Sequence, residues 1–311
     1  MRITRRHLQV ALAALWLLDG ALQCQPFMFS RAFARTVLLP AGHGQPAIVS
    51  EPVRIAVELV SAHPALLNGG FAAIQILLGL ALLTRRLARV ALAGSIVWAL
   101  SVWTVGEGLG GLATGGTLFT GAPGAALLYA VIAILAWPRR DQLDDRPSWL
   151  ALPMWCALWL TGAGLQWTAG NNSVSSITTM LRAAQSSSPN VIAGIDRYLA
   201  HFRLPGWSAA LFIAAYVLVA IWALVPGWTR QLSVVLGVTL ALTGWFLFQG
   251  LGDLTSGQST DPNSGPLVAL LALAVIGATR PREVDLRPWP SLEPFESVVE
   301  ERERQPVLIG R

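Results

Sequence analysis

The sequence predicts an all-α polytopic membrane protein with eight transmembrane helices arranged as two parallel four-helix repeats. Composition is the first reason. Apolar residues make up 54% of the 311-residue chain and charged residues only 13%, where ordinary soluble domains carry roughly 25%; the mean hydropathy is +0.55. Segment length is the second reason. A membrane helix needs about 20 mostly apolar residues, and the segments 8–27, 66–83, 88–106, 122–138, 150–169, 207–225, 231–249 and 265–279 meet or approach that length. Internal repetition is the third. Ala14-Leu15-Trp16-Leu17, followed by Leu22-Gln23, returns as Ala157-Leu158-Trp159-Leu160, followed by Leu165-Gln166. Ala62-His63 returns as Ala200-His201, and Trp103 with Glu107-Gly108-Leu109-Gly110 as Trp245 with Gln249-Gly250-Leu251-Gly252. These markers place one four-helix repeat at 1–146, a second at 147–279, and a tail at 280–311. Repeats of this kind point to a ligand site between them.

The elements follow in order. Arg2, Arg5 and Arg6 precede the first span in the manner of a signal peptide. The equivalent segment of the second half is internal and has no cleavage role, so 8–27 reads as a retained helix. Its outer end carries Cys24. Cys156 falls at the inner end of the fifth span, so much of the bilayer separates the two cysteines. A disulfide tolerates about 7 Å between Cα atoms, and both thiols read as free. The first loop of each half, 28–65 and 170–206, is long. Ser50 and Pro52 suit a helix start, after which Val53, Ala56, Val57 and Val60 share one face. Ser188 and Pro189 play the same parts before Val191, Ile192, Ile195 and Leu199. Such segments lie on the outer surface or lid the bundle. The loops 107–121 and 250–264 are rich in glycine and polar turn residues, and 280–311 reads as a charged tail with little fixed structure.

Arginines orient the spans. They cluster before the first, between the second and third, between the fourth and fifth, between the sixth and seventh, and after the eighth. With eight spans these all fall on one side, so both termini are cytoplasmic under the positive-inside rule. Four spans per repeat give the halves the same orientation. All 22 basic residues are arginine, which points to a GC-rich, bacterial genome and a cytoplasmic-membrane location. The absence of lysine excludes a lysine-dependent phosphate loop, a Schiff-base lysine and a Ser-x-x-Lys pair. The net charge of +5 does not imply nucleic acid, because the arginines sit at helix ends. No His-Glu-x-x-His, Cys-x-x-Cys or Gly-x-Ser-x-Gly occurs, which speaks against a conventional hydrolase; enzyme class and cofactor stay open.

The stretch Gln75-Ile76-Leu77-Leu78-Gly79-Leu80-Ala81-Leu82-Leu83-Thr84-Arg85-Arg86-Leu87-Ala88 resembles the DoxX-like membrane proteins. They share the apolar Gly-Leu-Ala-Leu-Leu run, the short Thr-Arg hairpin, and a four-helix unit with a long first loop. Residues 8–138 match this pattern better than the second half, whose hairpin reads Val225-Pro226-Gly227-Trp228-Thr229-Arg230. The resemblance implies the four-helix fold and a link to quinone, thiol or metal redox chemistry. It carries over no catalytic residue.

Asp19 is the sharpest clue, because an aspartate inside a membrane span costs about 2.5–3.5 kcal/mol on insertion scales and marks a site by default. Trp16, Asp19 and Gln23 share a helix face; the second half offers Trp159, Gly162 and Gln166 there, so the acid breaks the repeat. Gln75 is a bonding partner for Asp19. Glu107 and its equivalent Gln249 end the third helix of each half, and the glycines around Glu107 allow it to fold back toward Asp19. Trp16 and Trp103 would wall a pocket. The bland readings are an interhelical hydrogen bond for Asp19 and an exposed loop acid for Glu107. Gly106-Glu107-Gly108-Leu109-Gly110-Gly111 matches the dinucleotide fingerprint only in form, since no strand precedes it. His63 and His201 are weak metal candidates that more often cap a helix at the interface. Asp253, Asp261 and Asn263 read as turn chemistry in one outer loop, with calcium a weak second.

Three functions fit. The first is a redox-linked subunit that binds a quinone or other small lipophile between the repeats, using Asp19, Gln23, Trp16, Gln75, Trp103, Glu107, Gln166 and Gln249. The second is a proton-coupled small-molecule transporter. The third is a non-catalytic assembly protein that holds a partner through its C-terminal tail.

Overall fold

The computed structural model describes residues 2–138, 145–168, 170–185, 188–201 and 205–280. The tail beyond Arg280, with its expected protein partner, lies outside the described residues, as do Arg139 and Arg140 of the central loop. Among the described residues the chain is helical and contains no strand.

The first half runs α1 (Arg5–Gln23), a 3-10 turn, α2 (Arg31–Phe33), a π-turn (Ala34–Leu38), α3 (Leu39–Ala41), α4 (Ala47–Ala62), α5 (Pro64–Leu83), α6 (Ala88–Ser101) and α7 (Ala125–Leu135). A π-turn at Val102–Gly106 extends α6. The second half runs α8 (Ala151–Trp167), α9 (Val174–Ala184), α10 (Asn190–His201), α11 (Ser208–Leu224), α12 (Trp228–Leu247) and α13 (Ser264–Ala278). Helix occupies each segment expected to span. Pro64–Leu83, Ala88–Gly106 and Trp228–Leu247 are long and apolar enough to cross a membrane. Helices α7, α11 and α13 are apolar but shorter. Leu66, Leu77, Val90, Val97, Leu211 and Val235 are exposed on these helices. That much outward apolar surface suits lipid and not water.

Side chains close the helix ends. The Thr4 hydroxyl accepts from the His7 amide at 3.3 Å, and the His7 ring accepts from the Thr4 amide at 3.1 Å, so α1 opens on a reciprocal cap. The Arg6 guanidinium donates to the Leu82 carbonyl at 2.8 Å and also to the Leu83 carbonyl. These are orphan acceptors at the end of α5. Arg230 serves α11 in the same way through the Ala223 carbonyl, at 2.8 Å. Gln9 caps the end of α7 at the Ala136 carbonyl, 3.0 Å away.

Helix α1 lies between α5 and α7, α8 packs on α11 and α13, and α7 meets α13 where the halves join. The close approach of α1 and α5 depends on small residues. A Cβ on Gly79 would stand 2.6 Å from Leu17 and 3.0 Å from the Ala13 carbonyl. One on Gly20 would stand 2.6 Å from Ile76. Small residues let helix backbones meet in lipid, where packing replaces hydrophobic drive. Indole-to-serine bonds tie further helices together: Trp16 to Ser95 at 3.0 Å in the first half, and Trp155 to Ser233 at 3.1 Å in the second. Sequence alone aligned Trp16 with Trp159; in hydrogen bonding its counterpart is Trp155.

The outer segments differ from expectation in three ways. Helix α4 starts at Ala47 after Pro46, so Ser50 is not its cap and Pro52 lies inside it. The 3-10, π and short α turns over 26–41 carry no strong sequence signal, being short and irregular in period, while α9, which was not expected, opens on the Ser173 cap and buries Ile177, Leu181 and Ala184 at helical spacing. In α10 the buried face holds Ile192, Ala193 and Asp196, while Ile195 is exposed. A buried acid displaces the expected aliphatic position.

Overpacking the α1–α5 contact is costly, by about 1–3 kcal/mol for side chains forced into a filled space. Gly79→Leu should lower the melting temperature and monodisperse yield in detergent, whereas Gly69→Ala, with nothing within 4 Å of its Cβ, should not. Equal melting of the two variants would refute the close-packing account.

Candidate functional site

A cavity of about 260 Å³ opens within the first half. Its apolar walls come from the outer segment (Phe33, Val37, Leu38), from α4 (Ala56, Val60) and from Phe71 of α5. One side is polar. Gln23 of α1, Gln75 of α5, Trp98 of α6 and Glu107 line it, and the loop before α13 adds Thr260 and Asp261. The second half therefore contributes only those two residues.

Glu107 reaches this place through the backbone around it. The π-turn ends at Gly106, and Gly108 and Leu109 are left-handed, with φ of 52° and 59°. The chain reverses there, and the carboxylate turns back to the start of α7. Its Oε1 accepts from the Ala126 amide at 3.0 Å. The first amides of a helix have no intrahelical acceptor and carry the positive end of the helix dipole, so this carboxylate caps α7 from outside the helix. Gly124 makes room: a Cβ there would lie 2.2 Å from Glu107 Oε2, and its φ is +106°. The Trp103 indole clamps the same turn by donating to the Pro123 carbonyl at 2.7 Å.

Burial, then the charge of Asp261, lifts the Glu107 carboxyl to about 8. The Ala126 and Ala125 amides oppose the rise. Burial also raises Asp261, against the pull of the Asn263 amide at 2.7 Å and the Thr260 hydroxyl at 2.9 Å.

Several polar atoms beside the cavity lack a hydrogen-bond partner. Gln75 Oε1, Trp98 Nε1 and Glu107 Oε2 lie in its walls, and Asp19 Oδ1 lies behind them. Asp19 is 1% exposed and sits beside the Tyr129 hydroxyl of α7. Buried polar groups in proteins are otherwise almost always paired.

The expected residues thus divide. Gln23, Gln75 and Glu107 meet at one cavity. Gln23 also bonds Asn68 at 2.5 Å. Trp16 is a core residue packed at a tilt against Tyr129 with ring centroids 4.5 Å apart, and Trp103 is a clamp; neither forms a wall. Gln166 bonds the Asn171 carbonyl at 2.5 Å, away from the cavity. Gln249 donates to the Leu118 and Phe119 carbonyls at 3.3 and 3.2 Å and accepts from Ser264 at 3.1 Å. The second-half residues therefore serve packing, and the expected set does not gather between the halves. Phe119 projects from the first half into the second, stacked on Phe248 and edge-on to Phe212 with centroids 4.5 and 4.7 Å apart, and with them lines a separate apolar cavity of about 580 Å³.

His63 joins α4 to α5, and His201 ends α10 with its ring bonded to the Arg197 carbonyl at 2.6 Å. No cluster of three or more metal-capable side chains occurs among the described residues. Sequence reasoning missed Asp261, Trp98 and Tyr129. A signal existed for Asp261: Asp261-Pro262-Asn263 occupies the turn before α13 as Ala122-Pro123-Gly124 occupies the turn before α7, and the acid breaks that likeness.

The Glu107 carboxyl titrates at about 8 in the fold against an ordinary 4.5. Its contribution to stability is therefore complete below about pH 4.5 and is lost as pH rises through about 8. The melting temperature in detergent should fall between roughly pH 5 and pH 9, and Glu107→Gln should flatten the fall. An equal slope in both proteins would remove Glu107 as its source. Comparison with known proteins returns no match: no family model fits the chain, and neither a curated protein nor a solved structure matches it.

Proposed function

We propose that the protein is an eight-helix bacterial membrane protein of two parallel DoxX-like four-helix units, and that it holds a small lipophile in the cavity of its first half. The observation that carries the ligand reading is the set of unpartnered polar groups, Gln75 Oε1, Trp98 Nε1 and Glu107 Oε2, at one end of an apolar chamber. A chamber with apolar walls and a few convergent polar groups is what a ligand site requires. Its volume suits a single ring with a short chain. A quinol fits the redox expectation, with hydroxyls to donate to Glu107 and Gln75 and an oxygen to accept from Trp98.

Matched local features support the paired units. Gly108–Gly111 and Gly250–Asp253 are both left-handed runs. Trp103 and Trp245 both donate to the carbonyl of the proline that precedes the last helix of the half, at 2.7 and 2.6 Å. Arg6 and Arg230 both close the C-terminus of the second long helix. The short spans are accommodated by tilt or a thinned bilayer. Proton-coupled transport is a second reading, favoured by the position of Glu107 and Asp261, which bring titratable groups from both halves to one cavity.

The test is mass spectrometry of lipophiles extracted from gently purified protein. Wild type should retain one species near stoichiometry, and Gln75→Leu should lose at least nine-tenths of it while keeping its elution profile. Equal retention in the variant, or an empty wild-type protein, would count against this site.

A further inference from the structure

The balance of donors and acceptors in the cavity narrows the ligand further, and this step rests on the lipophile-binding reading above. The unpartnered groups are unequal in kind. Gln75 Oε1 is an acceptor and Trp98 Nε1 a donor, whereas the Glu107 carboxyl donates while it holds its proton and accepts once it has lost it. Gln75 is itself 7% exposed and lines the chamber, so an unmatched acceptor is aimed into it. A head that only accepts, such as a quinone carbonyl, would satisfy the indole and leave Gln75 Oε1 bare.

Charge is unbalanced in the same direction. Glu107 and Asp261 both face the cavity, Asp19 stands behind it, and no arginine or histidine lines it among the described residues. The nearest aromatic surface is a tilted pair, Phe71 and Trp98, with ring centroids 5.5 Å apart. Aromatic faces attract organic cations most strongly when both are removed from water. A buried carboxylate without a counter-ion is costly, and a partner cation is the direct remedy.

We propose that the cavity selects a lipophilic amine in its protonated form, with the ammonium donating to Glu107 and Gln75 beside Asp261 and the hydrocarbon lying against Phe33, Val37 and Phe71. Entry of the cation displaces the proton of the Glu107 carboxyl. The carboxyl O–H bond breaks, the proton passes to water, and an N–H···O contact takes its place. The groups that face Glu107 are Asp261 from the loop before α13, Tyr129 from α7 and the amides of Ala125 and Ala126, and Asp19 of α1 adjoins Asp261 and Tyr129. Since the free carboxyl titrates at about 8, amine affinity should rise between roughly pH 6 and pH 8 while an alkylamine, with a pKa of about 10, stays charged.

The experiment compares two probes with one carbon skeleton, 4-phenylbutylamine and 4-phenylbutanol, by calorimetry on full-length protein in phosphatidylcholine nanodiscs, with empty nanodiscs subtracted. The amine should bind at least tenfold tighter than the alcohol at pH 8, and the difference should shrink at pH 6. Glu107→Gln and, separately, Asp261→Asn should each remove most of the amine advantage over the alcohol. Equal binding of the two probes, or an amine advantage that survives both variants, overturns the charge selection and leaves lipophile binding standing. Failure of both probes to bind overturns the charge selection and the underlying reading together.

Discussion

The start of α7 is the constraint on which the first half depends. A helix whose N-terminus is buried leaves amides with nothing to bond. Here the acceptor comes from Glu107, a residue far from α7 in its own segment, and not from the Gly124 cap. The bond fixes the end of the α6 π-turn against α7, and the Trp103 clamp on Pro123 holds the same junction. A hydrogen bond of this kind contributes about 0.5–1.5 kcal/mol net, and the indole clamp adds a second at the same junction. The Glu107 bond commits only one carboxylate oxygen. The other lies against Gly124 without a hydrogen-bond partner, in a residue that lines the cavity.

The second half resolves the same problem differently. Gln249 stands where Glu107 would, at the foot of α13. It is neutral, and both ends of its amide are bonded, to the Leu118 and Phe119 carbonyls and to Ser264. Phe119 occupies the interior beside it. A neutral, fully bonded residue serves as packing. A half-bonded carboxyl at the wall of a chamber keeps one oxygen without a partner. The asymmetry between the halves is therefore one of satisfaction as well as of residue type.

Much of the fold was legible because membrane helices need length and apolarity, and those are properties of short windows. The helices near 66–83 and 88–106 could be placed to within two residues for that reason. Part of the site was legible for a related reason: an acid or amide inside such a window is expensive, so Asp19, Gln23, Gln75 and Glu107 stood out. What was hidden depends on the path of the chain between helices. Asp261 looked like turn chemistry, because a loop rich in Asp, Pro, Asn and Ser gives no sign that one carboxyl turns inward. Trp98 was one of thirteen tryptophans, and its free indole N–H follows from packing with Phe71, which no periodicity reports. The seat of Phe119 among Phe212, Tyr216 and Phe248 was equally silent, since an apolar residue in a glycine-rich loop has no preferred address.

Buried acids are tolerated here because they are few and close to one another. Carboxyls gathered in an apolar place need not all ionise; holding protons costs less than holding several charges. The fold then carries a proton at Glu107 near neutral pH, in a chamber where any occupant meets that proton first. On the proposed reading, a neutral donor leaves it in place, while a cation replaces it, and the carboxyl that caps α7 also sets which kind of molecule changes its charge. The second half, with glutamine at the corresponding point, has no proton to exchange and gains only a satisfied helix end.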